Sequence, residues 1–266
     1  MIHMNRIEKC FEELKAQNRK ALITFITAGD PDMDTTEKTV LEMFDNGADI
    51  VELGVPFSDP IAEGVTIQKS SLRSLKNGTT LDKIFAAVDK IRSKTNKPLI
   101  LMMYINTIFA YGTEKFFGVC KEKGIDGVIV PDMPYEERDE ILPYAEKYGI
   151  ININLVSPAS KELIKTIAAD SKGFLYCVSS NGVTGVRSEF STNFDEFFGM
   201  IKVHASCPFC VGFGISSPEQ AKRMSEYCDG VIVGSAVVRI MEEHGSAAPA
   251  EVGKFTKSLS AFKDTM

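Results

Sequence analysis

The chain has 266 residues, of which 44% are hydrophobic and 25% are charged, a balance typical of a globular protein with ample material for a core. Its formal net charge is −6, so no basic surplus exists to neutralise a nucleic-acid backbone, and nucleic acid is not expected as a partner. No apolar run approaches the ~18 residues of a membrane-spanning helix, so no membrane partner is expected either.

The start of the chain and its cysteines indicate a cytoplasmic protein. The first ten residues are charged and lead into an amphipathic stretch, unlike a secretion signal. The six cysteines are scattered, which suits reduced thiols in the cytoplasm. Cys207 and Cys210 have the spacing of a redox or metal pair, but no second pair or histidine cluster accompanies them. No metal site is therefore expected.

Short apolar runs alternate along the chain with polar stretches of helical spacing. Runs of this length between helices are typical of parallel strands that are buried on both faces. Eight such units predict a single (β/α)8 (TIM) barrel domain over residues 1–266, with an open doubly wound sheet as the alternative. The runs begin at Ala21, Asp49, Pro98, Gly127, Ile151, Gly173, Pro208 and Gly230, and helices are predicted at Asp34–Asn46, Leu81–Lys94 and Tyr135–Lys147.

Two features add to a bare barrel. An extra amphipathic helix at Asn5–Gln17 precedes the first strand, and we expect it to plug the barrel's bottom or to pack on its flank. The connection after the second strand, Gly54–Thr80, is long and contains a short helical stretch near Val65–Leu75. Long loops in compact domains are usually binding loops or lids, so this connection is a candidate part of the site.

Glycine-rich turns follow the last three strands. Gly182 and Gly185 come after the sixth strand, Gly214 after the seventh, and Gly234 with Ser235 after the eighth. In α/β barrels this end of the barrel carries the site, and phosphates favour these loops. Glycine lets the backbone approach an anion, and Ser235 adds a hydroxyl at a helix start. Any one glycine could merely turn the chain, but the three turns together predict a phosphate site.

Carboxylates at the same rim are the acid–base candidates. The period of two places Glu52 on the same face of its strand as Ile50. If the side chain of Ile50 points into the barrel, that of Glu52 does too, and apolar neighbours there raise its pKa. A structural ion pair is the alternative role for Glu52. Asp59 and Glu63 lie in the long loop and could reach across the mouth, and Asp132 ends the fourth strand, where it could act in catalysis or tie down a loop.

The residue types at the strand ends narrow the chemistry. No lysine ends a strand and the three histidines lie elsewhere, which disfavours a Schiff-base aldolase, a histidine-ligated metal and a glutamate–histidine isomerase. Carboxylate acid–base chemistry on a phosphate ester remains. Apolar side chains at the mouth could form a flat slot for an aromatic ring; these are Phe25, Met102, Ile129, Leu155, Tyr176 and Phe213.

Several motifs together resemble the α subunit of tryptophan synthase over almost the whole chain. The most specific are ELGVPFSDP at Glu52–Pro60 and GFGISSPEQA at Gly212–Ala221. Shorter motifs occur in the same order: FITAGDP from Phe25, TIQ from Thr66, FAYG from Phe109, GVTG from Gly182 and GVIVGSA from Gly230.

The resemblance implies a lyase that cleaves indole-3-glycerol phosphate to indole and glyceraldehyde 3-phosphate without a cofactor. Glu52 would be the acid–base group, and Glu63 would stand where the family has an aspartate that attracts the indole N–H. The phosphate would be held by Gly185, Gly214, Gly234 and Ser235, and the apolar set would enclose the indole. In physical terms, this retro-aldol reaction needs an acid at a ring carbon and a base at the ring nitrogen.

The family also implies a partner, a β subunit that carries pyridoxal phosphate and activates the α subunit in an α2β2 assembly. The residues expected to couple to it or to close the loops are Asp59, Asn106 and Thr184. This sequence departs from the family at Glu63, at Val65 in place of proline and at Ser180 in place of an arginine. Two other functions therefore remain open: a non-catalytic, ligand-binding partner of a β subunit, and an isomerase or transferase of another phosphorylated substrate.

Overall fold

A single parallel sheet forms the centre of the molecule. The computed structural model describes residues 4–160, 163–178, 194–212 and 214–264. Within these ranges the strand segments are β1 (Ala21–Thr27), β2 (Ile50–Gly54), β3 (Leu99–Met102), β4 (Gly127–Ile129), β5 (Ile151–Asn152), β6 (Leu155–Val156), β7 (Leu175–Val178), β8 (Phe209–Gly212) and β9 (Gly230–Val233). Their order across the sheet is β5-β4-β3-β2-β1-β9-β8-β7-β6.

The sheet closes into a barrel through its fifth strand. β5 and β6 are the two ends of the order, yet only Ile153 and Asn154 separate them in sequence. The Ile153 N–H donates to the Val128 carbonyl of β4 at 2.9 Å, and the Asn154 carbonyl accepts the Tyr176 N–H of β7 at 2.9 Å. The two segments are therefore halves of one strand. The predicted (β/α)8 barrel is confirmed, and the open sheet is excluded.

Helices surround the barrel and fill its connections. Within the described residues they are α1 (Arg6–Ala16), α2 (Met33–Asp45), α3 (Val65–Lys76), α4 (Leu81–Arg92), α5 (Ile105–Tyr111), α6 (Thr113–Lys123), α7 (Leu142–Tyr148), α8 (Ile164–Asp170), α9 (Phe194–His204), α10 (Pro218–Ser225), α11 (Ser235–His244) and α12 (Ala248–Ser260). Short 3₁₀ helices occur at Tyr135–Glu140, Pro158–Ser160, Gly245–Ala247 and Ala261–Asp264. In the described part of the chain, no helix combines the length and the apolar character that crossing a membrane requires.

The helix predicted at Tyr135–Lys147 is two elements. A 3₁₀ helix ends at Glu140, and α7 begins at Leu142 with Pro143 in its first turn. Proline has no N–H and is accepted only in the first turn of an α-helix, so its ring prevents one continuous helix here. The short helix predicted in the long connection is confirmed as α3.

Two apolar layers stabilise the barrel. The larger one packs the outer face of the sheet against the helices and includes Phe116, Phe117 and Phe198. The second fills the barrel interior and includes Ile23 of β1 and Phe174, which directly precedes β7. Because both faces of the strands are covered, the strands read as continuous apolar runs in the sequence.

The N-terminal helix α1 plugs the bottom of the barrel rather than packing on its flank. Ile7, Phe11 and Leu14 of α1 join the interior layer, and the rings of Phe11 and Phe174 are 5.8 Å apart. A capping box at Asn5 starts the helix. The opposite end of the barrel is left open for the site.

Candidate active site

Glu52 points into the barrel, as the period of two predicts. Its neighbours in register are Phe25 on β1 and Ile100 on β3, and Ile50, two residues earlier, lies in the interior layer. Neighbouring residues in register point to the same face of a sheet. Glu52 therefore stands on the upper rung of the interior, above the packed isoleucines and next to the open end.

The surroundings of Glu52 suit a group that exchanges protons. Its side chain is 0% exposed, and neither carboxylate oxygen has a hydrogen-bond partner among the described residues. Burial raises its pKa from 4.5 to about 8, because loss of water disfavours the charged form. No cation contacts these oxygens in the described part of the chain, so an ion pair for Glu52 finds no partner there. Buried unpaired carboxyls are rare and mark functional positions.

Tyr176 faces Glu52 from the other side of the barrel. Burial raises the pKa of Tyr176 well above its usual value, and the nearby charge of Glu52 adds to the shift. The ring of Tyr176 fits because Gly212 on β8 has no side chain: a β carbon there would lie 2.7 Å from the tyrosine hydroxyl oxygen. Gly212 thus sets the position of the Tyr176 ring.

Glu63 is held at the rim by the loop between β2 and α3. Its backbone carbonyl accepts the Gln68 Nε2–H at 2.9 Å, and the preceding Ala62 N–H donates to the Tyr104 hydroxyl at 2.9 Å. The ring of Tyr104 stacks on Phe57 at 4.7 Å. Carboxylate oxygen Oε2 of Glu63 is buried without a partner among the described residues. Burial raises the pKa of Glu63 to about 7, so its proton is exchanged near neutral pH.

The helix start at Ser235 is open to an anion. Gly234 precedes it as the N-cap residue, and no side chain caps the helix. The first N–H groups of a helix lack partners within the helix, and they attract anions. A β carbon on Gly234 would make only ordinary contacts, at 3.5 Å or more, with Phe25; packing therefore does not demand this glycine. Gly214, with φ +64°, adopts a left-handed turn near the end of β8.

The predicted apolar slot has a buried floor and a half-buried rim. Phe25 and Ile129 are buried, while Met102, Leu155 and Tyr176 are partly exposed and pack on the interior layer. Met102 pairs in register with Ile129, and Leu155 with Tyr176. The structure therefore brings these five side chains to the same end of the interior as Glu52. The sixth, Phe213, lies outside the described residues, as do Ser180, Thr184 and Gly185.

The remaining predicted residues have other surroundings. Asp132 accepts the Ile105 N–H at 3.0 Å, so it ties down the loop that begins α5. Asp59 accepts the Ser58 hydroxyl at 2.6 Å on an exposed part of the loop, and Asn106 is exposed on α5. Among residues 4–160, 163–178, 194–212 and 214–264, no group of three or more histidine, cysteine or acidic side chains is placed to hold a metal ion.

Comparison with known proteins gives one consistent result. The family model described as "Tryptophan synthase alpha chain" matches residues 11–266. This chain belongs to the tryptophan synthase alpha chain family. The tryptophan synthase alpha chain of Thermoanaerobacter sp. (strain X514) is 51% identical over 96% of this chain and 98% of its own length. That of Caldanaerobacter subterraneus subsp. tengcongensis is 50% identical with the same coverage.

Solved structures of the tryptophan synthase alpha family superpose over nearly the whole chain. Tryptophan synthase subunit alpha from Legionella pneumophila str. Paris has a TM-score of 0.88 at 35% identity and covers 99% of this chain and 100% of its own. A chain in the structure of Mycobacterium tuberculosis tryptophan synthase has a TM-score of 0.89 at 32% identity and covers 98% and 99%. The resemblance that the sequence motifs indicate is confirmed.

The sequence patterns do not single out one residue of the candidate site, Tyr104. Its side chain reaches from the end of β3 to the loop after β2, a contact between residues 42 positions apart. Nothing in the local pattern distinguishes it from a core aromatic residue. A tyrosine directly after a strand at the functional end of the barrel was the available signal.

Proposed function

We propose that this chain is a carbon–carbon lyase that cleaves indole-3-glycerol phosphate to indole and glyceraldehyde 3-phosphate. The observation that carries the proposal is Glu52, a buried and unpaired carboxyl group at the open end of an apolar barrel interior. Keeping such a group is costly unless it acts on a ligand. Membership of the tryptophan synthase alpha chain family supports the choice of substrate.

The reaction requires proton transfer at two atoms, a ring carbon and the glycerol hydroxyl oxygen, and a hydrogen-bond acceptor at the ring nitrogen. With a pKa of about 8, Glu52 holds its proton at neutral pH and can give it to carbon 3 of the indole ring. The carboxylate of Glu63 accepts a hydrogen bond from the ring N–H and stabilises the positive charge that develops on the ring. Glu52, now ionised, takes the proton of the glycerol hydroxyl. The bond between carbon 3 of the ring and the glycerol phosphate chain then breaks. Its electron pair returns to the ring, and the other product is the aldehyde glyceraldehyde 3-phosphate.

The other end of the substrate is assigned to the helix start. The phosphate binds at the N–H groups of α11 beside Gly234 and Ser235, with Gly214 in the neighbouring turn and Gly185 from the sixth loop. The indole lies in the slot of Phe25, Met102, Ile129, Leu155, Tyr176 and Phe213. An anchored phosphate fixes the ring over Glu52 and lowers the entropy lost in reaching the transition state. These steps use carboxylates and backbone groups, so the reaction needs no cofactor on this chain.

Glu63 in place of an aspartate is compatible with this chemistry. One more methylene extends the side chain by roughly 1.5 Å at most, and the loop can place its backbone correspondingly farther away. The contacts of Ala62 with Tyr104 and of the Glu63 carbonyl with Gln68 hold that backbone in place. We expect an active enzyme, which argues against the alternative of a non-catalytic ligand-binding partner.

The partner of this chain is proposed to be a tryptophan synthase β subunit in an α2β2 complex, with pyridoxal phosphate on β only. The loop after β2 and α5 present apolar side chains to solvent at the mouth: Ile61 is 76% exposed, Val65 65% and Phe109 46%. Exposed Asp59 and Asn106 lie in the same two segments. Exposed apolar side chains grouped on loops of this kind favour a protein interface.

Release of indole from indole-3-glycerol phosphate is the decisive measurement. We expect release by the wild type that a β subunit increases, and loss of release in Glu52→Gln, by about 10²- to 10⁴-fold. A wild type that is inactive even with the β subunit would contradict the lyase proposal. Full activity of Glu52→Gln would contradict the role given to that residue. Turnover of another phosphorylated aromatic or sugar by an otherwise inactive wild type would favour the isomerase or transferase alternative.

A further inference from the structure

Two neighbouring helices begin at the two ends of the proposed substrate site. α3 starts just after Glu63, and α11 starts at Ser235. Near their starts the helices meet: Ile67 of α3 and Val238 of α11 lie in one apolar cluster with Phe25. Because each helix begins at one end of the proposed site, the relative position of the two helices fixes the distance between the carboxylate end and the phosphate end.

Arg73 joins the second halves of the two helices, beyond that apolar cluster. Its Nη1 donates to Oε1 of Glu242 on α11 at 2.9 Å. Arg73 and Glu242 lie about 12 Å and about 10 Å along their helices from Val65 and Ser235, at a rise of about 1.5 Å per residue. The ion pair is therefore a second point of attachment between α3 and α11, and two points prevent the helices from pivoting about the first.

The same guanidinium is bound to the first β–α loop. Nε and Nη2 of Arg73 donate to Oδ1 and Oδ2 of Asp30 at 2.8 and 2.7 Å, and the Asp30 side chain is only 4% exposed. Such paired bonds fix the plane of the guanidinium, and a lysine cannot reproduce them. The remaining nitrogen, Nη1, is consequently oriented toward Glu242.

Other bonds hold α3 on the end of β1. The Ser74 hydroxyl donates to the Ala28 carbonyl at 2.6 Å, and the hydroxyls of Ser70 and Thr27 are 2.5 Å apart. These contacts join α3 to the barrel but leave α11 out. Arg73 adds a polar link to α11 besides the contact of Ile67 with Val238. Its removal is therefore expected to change the spacing of the two helices while α3 stays attached to the barrel.

We propose that Arg73 is a positioning residue that sets the distance between Glu63 and the phosphate-binding start of α11. The inference rests on the proposed lyase function. A substrate that spans two subsites gains from their linkage only when their spacing matches its length. Each half of the substrate alone is insensitive to that spacing. The role of Arg73 therefore differs measurably from support of either subsite.

The test compares the whole substrate with its two halves in Arg73→Lys. We expect kcat/KM for indole-3-glycerol phosphate to fall by about tenfold or more, because a displacement on the order of 1 Å is enough for such a loss. The dissociation constants of indole and of glyceraldehyde 3-phosphate, each measured alone, are expected to stay at the wild-type values. Glu242→Ala removes only the ion pair between Arg73 and α11, at an exposed position. We expect a smaller fall in kcat/KM, again with unchanged dissociation constants for the two halves.

Arg92→Lys is the matched control. Arg92 also pairs with a buried aspartate, Asp126, through Nη2 at 2.7 Å, but at the end of the barrel that α1 plugs. The control should lose stability as Arg73→Lys does and keep the wild-type kcat/KM. It thereby separates a general loss of stability from a change of spacing.

Three results would contradict either the proposed lyase function or the role of Arg73, and they can be told apart. An inactive wild type contradicts the proposed function. An active wild type together with equally active Arg73→Lys and Glu242→Ala variants contradicts the inference alone. A dissociation constant for one half that rises by the factor by which kcat/KM falls also overturns it, because Arg73 would then support that single subsite.

Discussion

The ring of Phe25 occupies the space that a side chain on Gly54 would need. A β carbon built on Gly54 would stand 2.4 Å from Cζ of Phe25, well inside van der Waals contact. Gly54 ends β2, two residues after Glu52, and Phe25 pairs with Glu52 in register. The glycine therefore lets an aromatic ring cover the strand end next to the buried carboxyl group of Glu52, and this ring is part of the floor of the proposed indole slot.

Gly54→Ala is expected to displace the Phe25 ring toward the cavity. We expect a loss of about 1–3 kcal/mol in the free energy of unfolding, as for other overpacked cores, together with a raised KM because the slot narrows. Denaturant unfolding and steady-state kinetics measure the two effects. Phe25→Leu in the Gly54→Ala background should recover part of the lost stability. If Gly54→Ala alone were as stable and as active as the wild type, displacement of the Phe25 ring would affect neither folding nor catalysis.

The buried carboxyl group of Glu52 makes the fold less stable at high pH. Its pKa in the folded protein is about 8, above the ordinary 4.5. Between these values the folded state keeps a proton that the unfolded state has released, so stability falls as pH rises from about 4.5 to about 8. At pH above 8 the loss is on the order of 5 kcal/mol for a fully buried group.

Glu52→Met should remove this dependence. A methionine of similar length leaves no polar group unpaired in the interior. We expect the variant to be inactive and more stable than the wild type, with a difference that grows from pH 6 to pH 9. Urea unfolding followed across that range measures it. A difference that stays constant with pH would mean that Glu52 is not protonated in the folded protein at neutral pH.

The two carboxyl groups that we propose as catalytic predict a narrow, bell-shaped pH profile of kcat/KM. Glu63 must be ionised to accept the ring N–H, so the rate rises through its pKa of about 7. Glu52 must be protonated to act as the acid, so the rate falls above its pKa of about 8. Because the two pKa values lie only about one unit apart, the maximum between the two limbs is narrow.

Two variants of Glu63 test the assignment of the rising limb. Glu63→Gln should abolish that limb and lower kcat by about 10²-fold or more, while Glu63→Asp should keep the limb and most of the rate. If the rising limb persisted unchanged in Glu63→Gln, the titration of a group other than Glu63 would cause it. A large gain of turnover in Glu63→Asp would show that the longer side chain is a handicap.

Local sequence patterns were sufficient to predict the barrel and much of its site. Alternating runs gave the strands, and the period of two placed Glu52 inward, because side-chain direction in a strand depends only on neighbouring residues. The choice between α1 as plug and α1 on the flank required the contact of Phe11 with Phe174. The contacts of Tyr104 with the Glu63 loop and of Arg73 with Asp30 and Glu242 join distant parts of the chain. No local period carries such information.

The start of α11 offers the sharpest test of the phosphate site. Gly234→Asp places a carboxylate where the unpaired helix N–H groups are proposed to hold the phosphate, and packing tolerates a β carbon there. An acidic group at a helix start is favourable for the helix itself, so the fold should be retained. Repulsion of a second anion from the same N–H groups should raise KM for indole-3-glycerol phosphate by about 10²-fold.

The affinity for indole alone separates the two ends of the site. In Gly234→Asp it should stay close to the wild-type value, because the added β carbon makes only ordinary van der Waals contact with Phe25 of the slot. Gly234→Ala is the matched control: it adds the same β carbon without charge and should raise KM far less than aspartate does. Equal effects of alanine and aspartate on KM would mean that bulk rather than charge matters at this position, and the anion would then have to bind elsewhere at the barrel mouth.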